Sequence, residues 1–569
     1  MKFKYISILI LAILFTGCKK DFLEKLPLDS MSDDNFWTSE KNVRTFSYGF
    51  YSGYFSGYGS GFTWGKYFSG EAMNDDFGPS SPGQFTRTVP ASGGGWTFTW
   101  VRKANVFIDR VQRAPIDDAA INHWMGIGRF FRGMEYHDLV KRFGDMPWYD
   151  KEIAETDMEL LYKPRDPRGE VMDKVLEDFQ FAAEHVRLTD GDKGLHVNRD
   201  VVLAFMSRVF LFEGTWMKYQ MNDVARAEKY LEAAKWAAEE LMNSGRYSLH
   251  SNYRELFSSL DLASNREMIM YRRYVEGILT HSLGSYNNLE PQTGMSKDAV
   301  DSYLMTDGLP VAQSPLYEGD KSIADLMTDR DFRLKATVKP TPYLLGVNSN
   351  YSSSGYAVQK FLNETIKDLP IGSGSLNPTD APIIRYGEVL LNYAEAAAEL
   401  GTLSQDDLNK TINLLRKRES QGAVAALEIS GNQAMVNGTI IEDPERDPSV
   451  SGILWEIRRE RRIELMMEGF RNDDLKRWKK FEYIDTRTNP TINRGAWVNK
   501  DDYLTNGVSA IETMTIDGGG RAGYIIPAPR AESQRIFDNP RVYLNPLPLD
   551  QITLYRDQGV ELEQNPGWE

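Results

Sequence analysis

The sequence predicts a mainly α-helical protein built from paired helices, with long irregular loops and little β structure. Three observations carry that reading. Apolar residues recur at three- and four-residue spacing through many segments; two of the clearest are separated by a gap that suits an antiparallel hairpin; and the stretches between such segments are rich in Gly, Ser, Asn and Pro. With 569 residues, 41% hydrophobic and 26% charged, the chain has ample material for a large folded core. A formal net charge of −15 speaks against nucleic acid and against an anionic lipid surface as partner. Aromatic residues make up 12% of the chain, enough for some to serve as exposed platforms as well as core.

In chain order, Lys2 and Lys4 precede an apolar run from Tyr5 to Phe15, which is too short for a permanent membrane span and is followed by Thr16, Gly17 and Cys18, the single cysteine. Residues 1–17 resemble a bacterial lipoprotein signal, with Phe15 where the lipobox usually has Leu. Acylation of Cys18 is therefore expected, the alternative being an ordinary secretory signal followed by a free thiol. One cysteine cannot build an internal disulfide. Residues 18–34 read as a polar tether, and its Lys19-Lys20-Asp21 start resembles the signal that sends some lipoproteins to the outer cell surface.

Residues 35–250 and 251–569 are expected to pack as one unit. Helices are predicted over Asn35–Phe55, Trp100–Gln112 and Ile121–Phe143. The next runs from Asp166 to Leu188, with Val171, Val175, Leu176, Phe179, Ala183 and Val186 on one face. Asn198 caps a helix through Val201, Phe205, Val209 and Phe212, and Asn222 or Asp223 caps another that ends near Gly245. In the latter, Ala227, Ala233, Ala234 and Ala237 alternate with Tyr230 and Trp236. Small residues that admit large ones from a neighbour look like a tetratricopeptide-type hairpin, although no strict repeat is present. Further helices are predicted over Pro382–Leu400, Asp406–Arg418 and Leu454–Gly469, with Pro382 in a first turn and Gly401 as a stop. Ser56–Gly95, Tyr271–Leu376 and Gln421–Ser451 remain as long irregular loops, a length that usually signals function.

Catalytic patterns are missing. There is no His-Glu-x-x-His and no Gly-x-Ser-x-Gly, and the 6 His do not cluster with Cys. Gly518-x-Gly520-x-x-Gly523 leads into Tyr524-Ile525-Ile526-Pro527 rather than a helix and reads as a turn. Asn74-Asp75-Asp76 lacks the alternating spacing of a calcium loop. No metal or cofactor is expected. A glycosidase would need two suitably spaced carboxylates, which 81 acidic residues neither single out nor exclude.

Ile457 to Trp478 reads Ile-Arg-Arg-Glu-Arg-Arg-Ile-Glu-Leu-Met-Met-Glu-Gly-Phe-Arg-Asn-Asp-Asp-Leu-Lys-Arg-Trp and resembles the signature helix of the SusD/RagB family of surface glycan-binding lipoproteins. Matching pieces fall in the family's order: Asn35-Phe36-Trp37, Ala104-Asn105, Arg385 to Ala396, Ile526-Pro527-Ala528-Pro529 and Gln564-Asn565-Pro566-Gly567-Trp568. Glu460, Arg461, Arg462, Glu464 and Glu468 are expected to pair at three- and four-residue spacing as scaffold, and Arg385, Glu388 and Glu395 to orient neighbouring helices. Trp37 and Trp478 belong to the same scaffold.

The resemblance implies an outer-membrane, lipid-anchored protein that faces the exterior and delivers a glycan to a SusC-like TonB-dependent β-barrel. It also implies a ligand surface made by the early loops and the segment after the helical repeats. There the sequence offers Trp64, Tyr67, Asn74, Asp75, Asp76 and Trp96, then Tyr271, Arg272, Tyr286, Asn287 and Asn288. Flat aromatics suit the C–H face of a sugar, and Asn, Asp and Arg suit its hydroxyls. Packing is the competing role for Trp96, and loop shaping for Asn74-Asp75-Asp76. Peptide capture in the same role and surface glycoside hydrolysis are the alternative functions.

Overall fold

The computed structural model describes residues 36–65, 74–77, 87–288, 294–340 and 352–569, with the side chains of residues 287, 288 and 510 excepted. The signal, the tether and Cys18 lie outside the described residues, as does Tyr67.

The first half is a run of helices. Helix α1 (Glu40–Tyr54) starts where the Ser39 side chain accepts the Asn42 N–H, and it buries Val43, Ser47 and Phe50. It leads to α2 (Thr99–Gln112), α3 (Asp118–Phe143), α4 (Arg168–His185), α5 (Arg199–Trp216) and α6 (Val224–Asn243). Asn198 caps α5 by accepting the Val201 N–H at 3.0 Å. At the far end Asn222 adopts a left-handed turn (φ 55°) and Asp223 caps α6, which closes the expected hairpin. Consecutive helices pack on one another from α2 through α6. Ala227, Ala234 and Ala237 are buried, and Phe210 meets Tyr230 at 5.6 Å, as the small-large alternation requires. Trp236 points to solvent instead.

Two sequence expectations fail here. Pro382 does not start a helix: Met268–Arg272 (β1) and Ala381–Arg385 (β2) pair antiparallel, with Tyr271 opposite Pro382, and α7 (Tyr386–Glu399) begins at the next residue. A two-stranded ladder has edges on both sides, where proline is tolerated. Within Gln421–Ser451, Glu428–Ser430 (β3), Gln433–Val436 (β4) and Thr439–Ile440 (β5) form a small antiparallel sheet rather than irregular loop. Gly518 (φ 69°) sits in a turn that feeds the strand Ala522–Tyr524, as the discarded glycine motif predicts.

The signature segment forms α8 (Gly452–Glu464) and α9 (Arg471–Arg477). Its charges are buried, and most of their partners come from across the chain instead of along the helix as expected. Glu464 meets Arg385 at 2.7 Å, Arg418 at 2.6 Å and Arg333 at 3.2 Å. Glu460 binds Arg416 at 2.5 Å and Arg333 at 3.0 Å, while Glu468 takes Arg385 and Lys360. Arg477 and the Trp478 indole hold Glu395, and Arg208 holds Glu388, so these acids do fix α7 against its neighbours.

Breaking a buried pair by removing one charge costs roughly 3–5 kcal/mol. Glu464→Gln should therefore lower unfolding free energy by about that amount in urea titration. Three surrounding guanidinium groups hold the Glu464 carboxyl down to about 2 against its burial. Its contribution is present above the ordinary carboxylate range and is lost as pH falls toward 2, so the wild-type advantage over Glu464→Gln should shrink over that interval.

Candidate functional site

Three loops converge after α1, after β1 and before β2. The first, residues 56–65, curls back on itself through Gly59 (φ 78°) and Gly65 (φ 61°), where any Cβ would strike Thr63 or the Gly57 carbonyl. Its Gly61 N–H donates to the Thr280 carbonyl at 3.0 Å. His281 and Asn377 exchange backbone hydrogen bonds at 3.0 and 3.1 Å, which ties in the third loop. His281 thus joins the two later loops directly and borders the first through Thr280.

The His281 side chain is fully buried between Tyr58 and Tyr274, with ring centroids 4.9 and 4.7 Å away. Its Nε2 lies 3.0 Å from the Thr379 carbonyl oxygen, and its Nδ1 accepts the Leu283 N–H at 3.2 Å. That pattern selects the neutral ring protonated at Nε2. Burial pushes the imidazole down to about 4. Tyr274 in turn donates from its hydroxyl to the Gly59 carbonyl at 2.7 Å, and Tyr58 to that of Phe257 at 2.8 Å.

On this base stand two partly buried aromatics. Trp64 meets Tyr286 edge-on at 4.2 Å between ring centroids, and its Nε1–H donates to the Ser282 hydroxyl at 3.1 Å. Phe62, Ile278 and Leu376, which belong to the same three loops, are 71%, 84% and 53% exposed. Aromatics with one edge anchored beside hydrogen-bonded backbone can stack on a flat, partly apolar ligand face.

The other sequence candidates separate from this pair. Trp96 is only 7% exposed and packs on Phe98 and Phe143, so it belongs to the core. Tyr271 is buried in β1 against Gly194, and the half-buried Arg272 donates from Nη1 to the Ser56 carbonyl. Asn74, Asp75 and Asp76 are buried as well. Asp75 takes both arms of Arg471 at 2.7 Å, Asp76 accepts from Arg462 at 2.8 Å, and the Asn74 side chain caps the Asp76 N–H. Asp75 and Asp76 are thus held in the scaffold by Arg471 and Arg462, and Trp96 and Tyr271 by packing, so these residues do not gather with Trp64 and Tyr286. Asn287 and Asn288 close the short helix Leu283–Asn288, and their side chains lie outside the described residues.

Sequence reading missed Phe62, Ile278 and Leu376. A large apolar residue beside glycine in a long loop, as in Gly61-Phe62 and Gly277-Ile278, is the signal that finds two of them. Nothing local marks His281.

The model of the SusD family matches residues 279–568, half of the chain, and includes His281, Tyr286, the loop before β2 and the signature helix. The chain belongs to the SusD family. It is 23% identical over 514 residues to SusD-like protein P38 of Formosa agariphila, covering 84% of this chain and 92% of that one. A SusD-like protein of Bacteroides ovatus is 24% identical over 520 residues, covering 85% and 83%. Among solved structures, a SusD-like carbohydrate binding protein from Bacteroides fragilis superposes with a TM-score of 0.64 at 22% identity, covering 92% of this chain and 98% of that one. A laminarin binding SusD-like protein gives 0.56 at 19% identity, covering 93% and 100%. The mainly helical SusD-family fold with few strands is therefore shared.

The neutral His281 ring supports the loops fully above its ordinary value near 6.5, and that support is lost as pH falls toward 4. At 1.36 kcal/mol per unit, the whole effect is about 3 kcal/mol. Hydrogen exchange of peptides spanning 274–286 and 372–380, corrected for intrinsic rates, should show protection falling between pH 6.5 and 4. His281→Gln should flatten that dependence.

Proposed function

We propose that this SusD-family protein captures a glycan at the cell surface and hands it to a SusC-like TonB-dependent β-barrel. Acyl chains on Cys18 anchor it to the outer membrane, facing the exterior. Export and lipidation rest on the sequence between Lys2 and Cys18; the partner rests on the family resemblance. Among the described residues no helix is long and apolar enough to cross a membrane, which agrees with an anchor outside the folded body.

The observation that carries the glycan reading is the Trp64–Tyr286 pair. Both rings are partly buried and meet edge-on, and Trp64 is fixed by its bond to Ser282, a geometry that leaves ring face for sugar C–H groups. Each ring can contribute about 1–2 kcal/mol through apolar burial at ~25 cal/mol per Å². Two relatives in fold, named for carbohydrate and for laminarin binding, support the same ligand class. Capture in this form needs no covalent step, and the role is binding rather than catalysis.

The test is a binding screen of the purified protein against laminarin, other polysaccharides and short peptides. Trp64→Ala and Tyr286→Ala should each weaken glycan binding about tenfold, the equivalent of 1.4 kcal/mol. Trp96→Ala should instead cost roughly 3–5 kcal/mol of stability in thermal or urea unfolding, with glycan affinity of the folded fraction unchanged. Glycan affinity indifferent to both Trp64 and Tyr286 would remove this site, binding of peptides alone would reassign the ligand, and release of reducing ends would establish a hydrolase. Cys18→Ala should move the protein out of the membrane fraction.

A further inference from the structure

A second concavity lies between α3, α5 and the turn after α8, and neither Trp64 nor Tyr286 lines it. It encloses about 460 Å³, within the range of small-molecule sites. Among the described residues, all five Lys and Arg side chains on its walls already have acids, Arg461 in Asp474 at 2.9 Å and Arg477 in Glu395 at 2.6 Å. Lys141 binds Asp473 at 2.7 Å, Arg142 binds Asp138 at 3.0 Å, and Arg208 takes both oxygens of Glu388 at 2.6 and 2.7 Å.

Glu135 breaks this balance. It is 5% exposed and lines the cleft, yet its one hydrogen bond among the described residues comes from the Tyr54 hydroxyl, at 2.6 Å to Oε2. No Lys or Arg forms an ion pair with it among those residues; Arg142 acts on it from farther away while engaged with Asp138. Burial raises the carboxyl above its ordinary range. The Tyr54 ring that donates to it stands edge-on to Trp100, 5.8 Å away, and Trp100 also lines the cleft.

A buried carboxylate without a cation, set beside aromatic rings, is the chemical complement of a protonated amine. The amine supplies the missing charge and a charge-assisted hydrogen bond to Oε1, and the rings add cation–π attraction. An anionic group placed on Glu135 would instead meet a like charge. We propose that this cleft is a second binding site, for a small ligand whose primary ammonium group sits on Glu135 and whose body lies along Tyr54 and Trp100. An amino sugar and the N-terminus of a short peptide both carry that group.

The test is isothermal titration of the purified full chain at pH 6.5 with glucosamine and with dialanine amide. Glucose, N-acetylglucosamine and N-acetyl-dialanine amide serve as the neutral counterparts. At least one amine should bind saturably and at least tenfold more tightly than its neutral counterpart. Glu135→Gln, which keeps an acceptor for Tyr54, should weaken that binding at least tenfold, whereas Trp64→Ala should leave it unchanged. Preference for glucosamine assigns the amino sugar, and preference for dialanine amide assigns the peptide terminus. Absence of amine binding, equal binding of the neutral compounds, or indifference to Glu135→Gln would overturn the proposal. The comparison of amine with neutral compound is made on the unaltered protein, so it decides even if the variant folds poorly.

Discussion

The structure depends on a lattice of buried charge built around α8. Glu460, Glu464 and Glu468 lie on the signature segment, and the arginines that answer them come from residues 333, 385, 416 and 418, spread over more than eighty positions of chain. Taking so many ions out of water is costly, and the cost is recovered only where nearly every oxygen and N–H finds a partner. That condition makes the lattice demanding: the long helices, strand β2 and the short helix Phe332–Thr337 that carries Arg333 must all be in register at once. Hydrophobic burial supplies most of the driving force for folding, but apolar contacts tolerate sliding, and these bidentate pairs do not.

The same lattice reaches the early loop. Arg462 leaves α8 to hold Asp76, and Arg471, at the start of α9, clasps Asp75. Residues 74–77 are thus tied to the far end of the sequence, while Arg385, the last residue of β2, is locked to Glu464 and Glu468. Acids that looked like ligand contacts in a loop are the far half of a scaffold that begins some 390 residues later. Loops held by such pairs lose less conformational freedom on binding a ligand than loose ones do.

Helices with strong apolar periodicity and a good cap were legible in the sequence. Asn198 and Asp223 bracket the α5–α6 hairpin as their side-chain chemistry requires, and Gly401 (φ 70°) stops α7 where a left-handed residue was expected. Pro382 was misread because a proline suits both a first helical turn and a sheet edge, and only the partner strand, more than a hundred residues earlier, distinguishes them. Charge pairing was misread for a similar reason. Residues four apart on a helix can pair, but a helix buried on several sides meets better-placed partners from other elements.

The candidate surface shows the limit most clearly. Trp64, Trp96 and Tyr271 are the same kind of evidence in a sequence, yet one is anchored at the meeting of three loops and the others fill the core. What separates them is long-range geometry. The Gly61–Thr280 and His281–Asn377 bonds decide which rings gather, and a buried neutral histidine decides that those bonds hold. The backbone that aims the indole and phenol rings decides which of them gather at this surface. Their residue type supplies the stacking face, but the folded loops determine whether that face is turned toward a ligand or toward the interior.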